Sequence, residues 1–223
     1  MPAILDPPYR LSGTVYGVLG NHPSFFAMLG DAASQPPYNA PPKAPVLFIK
    51  PRNTLAADGD PVRVPPDVSE LEVAGGLGVV IGRTATRLSL DGALAAIAGY
   101  LVINDISVPH QSFHRPSIRH KARDGFCPLG PAMIPVGGVA DPDALDVRTL
   151  IDGQTVQQYR TADLIRPIRQ LLVDVTEFMT LHPGDVLCVG TAAPGPRVRA
   201  GQTVAVSIDG IGVLTNTFIG SEA

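Results

Sequence analysis

Four cations and a histidine fall within nine positions in the stretch Arg115-Pro116-Ser117-Ile118-Arg119-His120-Lys121-Ala122-Arg123. Asp124-Gly125 follows, and then the apolar Phe126-Cys127-Pro128-Leu129. Arg and Lys bind carboxylates through charge-assisted hydrogen bonds that are stronger than neutral ones. A basic loop beside apolar walls therefore suits recognition of a small polyanion, and a solvated loop face is the competing reading. A second candidate is Asn104-Asp105, an acid at the end of the apolar run Tyr100–Ile103. It reads either as a group at the rim of a site or as a turn cap. His110 follows closely enough to reach the same place, where an imidazole beside a carboxylate can shuttle a proton. The alternative is a structural histidine satisfied by backbone. Gly190-Thr191 combines close backbone approach with a hydroxyl.

Other chemistries find no support. His22, His110, His114, His120 and His182 do not fall at metal-ligand spacing. His182, beside Pro183-Gly184, reads as a turn residue. Cys127 and Cys188 are far apart and make no redox or metal motif. Cys127 reads as a small packed hydrophobe. No nucleophile elbow, P-loop or dinucleotide fingerprint is present.

The elements that must position these residues are mostly strands. Thr14–Leu19, Val46–Ile49, Leu77–Ile81, Tyr100–Ile103 and Val186–Val189 read as strands, and Asn21-His22-Pro23 as a break. Asp152-Gly153 predicts a hairpin between Val147–Ile151 and Thr155–Tyr159, and Asp209-Gly210 a second one. Ser89 is placed to cap a short helix over Leu90–Ala98. The strongest helical periodicity lies in residues 164–180, with Pro167 suited to the first turn. Residues 106–132 read as a long irregular segment of the kind that carries function.

With 223 residues, 45% hydrophobic and 17% charged, the chain is globular rather than disordered. Its 23 Gly and 23 Pro are scattered, which favours turns and short strands. The expectation is a β-rich α+β fold, with an N-terminal arm at 1–12 and one domain over 13–223. A net charge of −3 with no basic run argues against nucleic acid as partner. No apolar run reaches 18 residues, so no membrane association is expected, and a cytoplasmic protein with reduced thiols is.

Taken in order, several blocks resemble the fumarylacetoacetate hydrolase family. They are Phe48-Ile49-Lys50-Pro51-Arg52-Asn53-Thr54, Leu77–Gly82, Gly99-Tyr100 through Asn104-Asp105-Ile106-Ser107, and Lys121 through Pro131. Thr161–Ile165, Leu181–Leu187 and Gly190-Thr191 continue the series. Pro37–Lys43 and Ser112-Phe113-His114-Arg115-Pro116 look most like the branch that decarboxylates and isomerises intermediates of 4-hydroxyphenylacetate breakdown, where two such domains are fused. The resemblance implies a mixed β roll flanked by short helices, a dimer or a heteromer with a homologous subunit, and a di- or tricarboxylate substrate. It also implies a divalent cation, Mg²⁺ or Mn²⁺, polarising a 2-oxo acid.

Residue by residue, Asp105 matches a metal carboxylate of the family, Lys121 a lysine facing substrate, and Thr191 a contact to substrate carboxylate. Asp124 and His110 join them as catalytic candidates, and Arg123, Lys50 and His22 as substrate-binding ones. The family's Glu-x-Glu metal pair, however, falls on Ala74-Gly75-Gly76. Its active-site histidine falls on Phe25, and a nearby glutamate on Met28. Glu72, two before Ala74, shares that face of an extended strand. Two outcomes follow: cations that replace the metal, or a silent subunit paired with a metal-binding homologue.

Overall fold

The computed structural model describes residues 3–4, 13–111 and 117–220. The Ser112–Pro116 block, with His114 and Arg115, lies outside the described residues, as does most of the 1–12 arm. Ala3–Ile4 is described, as a strand paired with Ala132 and Met133.

Two mixed sheets carry the fold. The larger runs Ala3–Ile4, Ala132–Pro135, Ile97–Asn104, Gly75–Ile81, Val186–Cys188, Val15–Leu19, Val46–Lys50. Its one parallel pair joins Val186–Cys188 to Val15–Leu19. The smaller runs Gln154–Arg160, Asp146–Ile151, Thr203–Ile208, Gly212–Gly220, Val62–Val64. Val79, Leu77, Val206, Leu214 and Phe218 are wholly buried in one cluster drawn from both sheets. The Ile168–Phe178 helix covers it with Ile168, Leu171, Leu172 and Val175, the apolar face its periodicity predicts.

Local signals placed the hairpins well. Asp152 and Gly153 both have positive φ, 51° and 80°, as a two-residue hairpin loop requires, and the flanking strands pair antiparallel. Asp209-Gly210 likewise joins two antiparallel strands. The Leu90–Ala98 helix is not formed. Ser89 closes a turn on the Gly92 N–H at 3.2 Å, only Leu94–Ala96 is helical, as one 3₁₀ turn, and Ile97 already belongs to a strand. Gly92 is a poor helix former, and the partner strand Gly75–Ile81 captures the segment instead. Asn21-His22-Pro23 does not merely break the chain. His22 Nδ1 accepts the Ser24 N–H at 3.2 Å and starts a helix at Pro23–Leu29. Pro167 stands at the N-cap of its helix, one position before the first turn.

Glycines at the mouth of Gly75–Ile81 have a packing cause. A Cβ on Gly75 would lie 2.6 Å from Val206 Cγ1 and 2.8 Å from Thr149 Oγ1, so here the second sheet presses on the first. Gly75→Ala is expected to cost about 1–3 kcal/mol through overpacking, read from the urea unfolding midpoint. A variant as stable as the parent would mean that the two sheets are not in contact there. No helix among the described residues is long and apolar enough to cross a membrane.

Candidate active site

The register of two antiparallel strands sets the site. Gly75 stands opposite Asn104, so the chain beyond Asn104 emerges beside Ala74. The Asp105 N–H donates to the Ala74 carbonyl at 3.0 Å, and the Ala74 N–H to Asn104 Oδ1 at 3.2 Å. Asp105 is thereby fixed at the strand mouth with its side chain only 8% exposed.

Two lysines converge on it. Lys50, at the end of the edge strand Val46–Lys50, places Nζ 2.7 Å from Asp105 Oδ1. Lys121, at the end of the short Ile118–Lys121 helix, places Nζ 2.5 Å from Oδ2 and 4.4 Å from the Phe48 ring centroid. Lys50 Nζ also donates to the carbonyls of Ile106, Phe126 and Lys121 at 2.7, 2.8 and 3.0 Å. An ammonium has three protons. Those of Lys50 are spent on carbonyls, and its link to Asp105 is chiefly coulombic.

Burial alone would raise the Asp105 carboxyl, but Lys121 and Lys50 outweigh it and hold the group below the usual carboxylate range. Burial pushes the Lys50 ammonium down, Asp105 opposes this, and Lys121 adds to it. Two cations thus share one anion in a buried site, and of the two Lys121 is the one at the cleft wall.

The polar lining of this cleft is Glu72, Asp105, Ser107, His110, Lys121 and Thr191. Its apolar lining includes Leu19, Phe25, Met28, Phe48 and Ala74. Gly190 has φ +112°, and a Cβ there would meet Asn21 Cβ at 2.7 Å, so glycine is required to turn Thr191 toward the cleft. His110 stacks on His120 with ring centroids 4.7 Å apart.

Of the residues predicted from sequence, the structure brings Asp105, Lys121, His110 and Thr191 together. Four others go elsewhere. Lys50 lies beneath the cleft as an internal counter-ion and not on its wall. Asp124 accepts from Asn53 Nδ2 at 2.7 Å in an exposed loop. Arg123 forms a fork to Asp67, at 3.1 and 3.3 Å. His22 caps its helix and sits edge-on to Tyr159 at 5.4 Å. Its imidazole is pushed down by burial, against a smaller upward pull from Asp163. Glu72 is the reverse case. Nothing in its sequence neighbourhood marks it beyond its distance of two residues from Ala74, yet it reaches the cleft.

Comparison with known proteins gives the family. The family model described as fumarylacetoacetate (FAA) hydrolase C-terminal matches residues 14–219. The chain belongs to the fumarylacetoacetate hydrolase family. Among curated fumarylacetoacetate hydrolase relatives, the 4-hydroxyphenylacetate degradation bifunctional isomerase/decarboxylase of Salmonella dublin is 42% identical over 212 residues, 95% of this chain and 48% of that protein. The chain therefore spans about half the length of such relatives. Among solved structures, 2-hydroxyhepta-2,4-diene-1,7-dioate isomerase from Mycobacterium marinum superposes with TM-score 0.79 at 31% identity, over 96% of this chain and 77% of that one. Fumarylpyruvate hydrolase from Pseudomonas aeruginosa, solved with Mn²⁺ and pyruvate, shares the fold with TM-score 0.81 at 24% identity, over 93% and 90% of the two chains.

A divalent cation fits this fumarylacetoacetate hydrolase site poorly. Mg²⁺ and Mn²⁺ require several oxygen ligands. Ala74 and Gly76, onto which the resemblance places a Glu-x-Glu metal pair, carry no carboxylate. A Cβ on Gly76 would already lie 2.9 Å from Thr191 Cγ2 and 3.3 Å from the Tyr159 hydroxyl, so no longer side chain has room. Both Asp105 oxygens face ammonium groups, and Glu72 is paired with Arg197 at 3.1 Å. Among the described residues no group of three His, Cys, Asp or Glu side chains gathers. Asp105, expected as a metal ligand, meets two lysine ammonium groups here, Lys50 at 2.7 Å and Lys121 at 2.5 Å. Phe25 and Met28 line the same cleft as apolar wall.

Proposed function

We propose that this chain is a decarboxylase/isomerase subunit of 4-hydroxyphenylacetate catabolism. Its substrates on this reading are 5-oxopent-3-ene-1,2,5-tricarboxylate and 2-hydroxyhepta-2,4-diene-1,7-dioate. The observation that carries it is the Lys121 ammonium, held by Asp105 and Phe48 at the wall of a cleft also lined by Thr191. When the tricarboxylate loses carbon dioxide, the electron pair of the broken C–C bond runs through the conjugated double bond to the 2-oxo oxygen. A dienolate forms there. A fixed positive charge at that oxygen is worth most in a site from which water is excluded, because no solvent has to reorganise. Lys121 supplies the charge, with Lys50 adding to the field from below. The Thr191 hydroxyl is placed to donate to a substrate carboxylate. The same dienolate is the intermediate of the isomerisation, and its protonation on carbon gives the 2-oxo-3-ene isomer.

We place this subunit in the cytoplasm, as a homodimer or beside a homologous subunit that corresponds to the other half of the longer relatives. The reading is tested by assaying decarboxylation of the tricarboxylate before and after exhaustive treatment with EDTA. Activity should survive unchanged. Loss with EDTA and return with Mn²⁺ would remove the metal-independent reading.

A second reading is favoured by one observation. Ala74, Phe25 and Met28 put apolar groups where the family has functional polar ones. On that reading this chain is a silent subunit paired with a metal-binding homologue. Purified protein without turnover, which gains it only on co-expression with such a homologue, would select it.

A further inference from the structure

Two carboxylates line the cleft among the described residues, and their surroundings are opposite. Asp105 is clasped between two ammonium groups, which keep it ionised. Glu72 reaches the cleft from the two-residue strand Leu71–Glu72, which is pinned on both sides. On one side Glu72 stands opposite Arg197. On the other it bridges to Ser107, N–H to carbonyl in both directions at 2.9 and 3.0 Å. Gly195 comes so close that a Cβ there would lie 2.7 Å from Glu72 Cγ and 3.2 Å from Oε1. The carboxyl is therefore held in one place, 26% exposed, at the edge of the cleft.

The charged groups around it are Arg197 on the neighbouring strand, Lys121 on the short helix, and Asp105 beyond the Ile97–Asn104 strand. His110 lines the same cleft, and Arg199 is turned away to Glu70 at 3.4 Å. Burial raises the Glu72 carboxyl above the usual range. Arg197 and Lys121 pull it down without cancelling the rise, and Asp105 adds to it. Of the two carboxyls, Glu72 is the one whose surroundings favour the protonated form, and Asp105 the one held ionised.

We propose that Glu72 is the proton-transfer group of this cleft, moving a proton to and from carbon of an unsaturated 2-oxo dicarboxylate. The proposal rests on the isomerase reading given above. In 2-oxohept-3-ene-1,7-dioate the Glu72 carboxylate removes a proton from C5. The C5–H electron pair becomes the C4=C5 double bond, the C3=C4 pair moves to C2=C3, and the carbonyl pair becomes an enolate oxygen that faces Lys121. Solvent protonates that oxygen and gives the 2-hydroxy-2,4-diene. In reverse the Glu72 carboxyl delivers its proton to C5. Substrate is neither oxidised nor reduced, and one proton is moved.

The test is deuterium incorporation at C5 of 2-oxohept-3-ene-1,7-dioate in D₂O, followed by NMR with the full chain. The parent protein should exchange, with an acid limb above the usual carboxylate range, since the carboxylate is the base. Glu72→Gln should slow exchange by about 100-fold or more. Its affinity for the diacid, by calorimetry, should stay within about threefold of the parent. Glu72→Asp should keep part of the rate. Arg197→Met removes a group that lowers the Glu72 pKa, so it should move the acid limb to higher pH. That readout needs no change at Glu72 and decides the question if Glu72→Gln fails to fold. Parental exchange in Glu72→Gln, or an unmoved limb in Arg197→Met, overturns the role of Glu72 and leaves the isomerase reading standing. A parent protein that binds the diacid but exchanges nothing overturns both.

Discussion

Lys121→Met is expected to lower kcat/KM for the tricarboxylate by about 10²–10³-fold, the effect of deleting one preorganised stabilising group. Met keeps the length of the stem and its contact with Phe48 but removes the charge. The loss should fall mainly on kcat, because the charge on the 2-oxo oxygen develops only as carbon dioxide leaves. Lys121→Arg should recover little. A guanidinium is planar and forked, whereas the space between Asp105 Oδ2 and the Phe48 ring, with Nζ at 2.5 and 4.4 Å, fits a compact ammonium. Steady-state rates over a range of substrate concentration decide it. A variant with parental kcat would sink the proposed electrostatic role, and a rise in KM alone would reduce Lys121 to a substrate anchor.

Asp105→Asn is expected to destabilise the protein by roughly 3–5 kcal/mol at neutral pH, the cost of removing one partner from a buried charged pair. Lys50 is 2% exposed and would keep its three carbonyls but lose its counter-ion. Lys121 would then repel it unopposed. The double variant Asp105→Asn, Lys50→Met should recover much of the loss, because no unpaired charge stays beneath the cleft.

The pH dependence has a definite sign. The folded-state pKa of Asp105 is lowered, so its stabilisation is complete above the unfolded value and is lost as pH falls through the folded value. The stability gap between parent and Asp105→Asn should therefore persist at neutral pH and close only below the usual carboxylate range. Urea unfolding at several pH values measures this. A gap under about 1 kcal/mol at neutral pH would mean that the three charges are not coupled, since that is the range of exposed pairs.

Short-range signals gave much of the framework. The Asp-Gly turns, the amphipathic Ile168–Phe178 helix and the apolar strands depend on neighbours two to four residues away, so they are legible locally. Misreadings arose where a distant partner overrides propensity. Residues 97–98 have a helical cap upstream but lie beside the Gly75–Ile81 strand, where Ile97 pairs with Ile81 and Ala98 forms an irregularity in the register. The basic stretch around Lys121 looks uniform in sequence. In the fold Lys121 turns inward to Asp105, Arg123 turns outward to Asp67, and the backbone of the same segment receives Lys50. Charge composition cannot separate these fates, because each is set by which strand end lies opposite.

By itself the sequence determined the family, through the order of its blocks, and it left Ala74 and Gly76 where the resemblance expects two carboxylates. It also put Asp105, Lys121 and Thr191 on the list of site residues. Only the tertiary structure decided how closely this strand mouth is packed and what meets Asp105. Val206 and Thr149 press on Gly75, Thr191 and Tyr159 close over Gly76, and two lysines neutralise Asp105. Only the structure brought Glu72 into the cleft beside Lys121 and Arg197. The physical reason is range. Turn and helix preferences act over a few residues, whereas the fate of a charge depends on its burial and on partners more than a hundred positions away, which sheet register alone brings together.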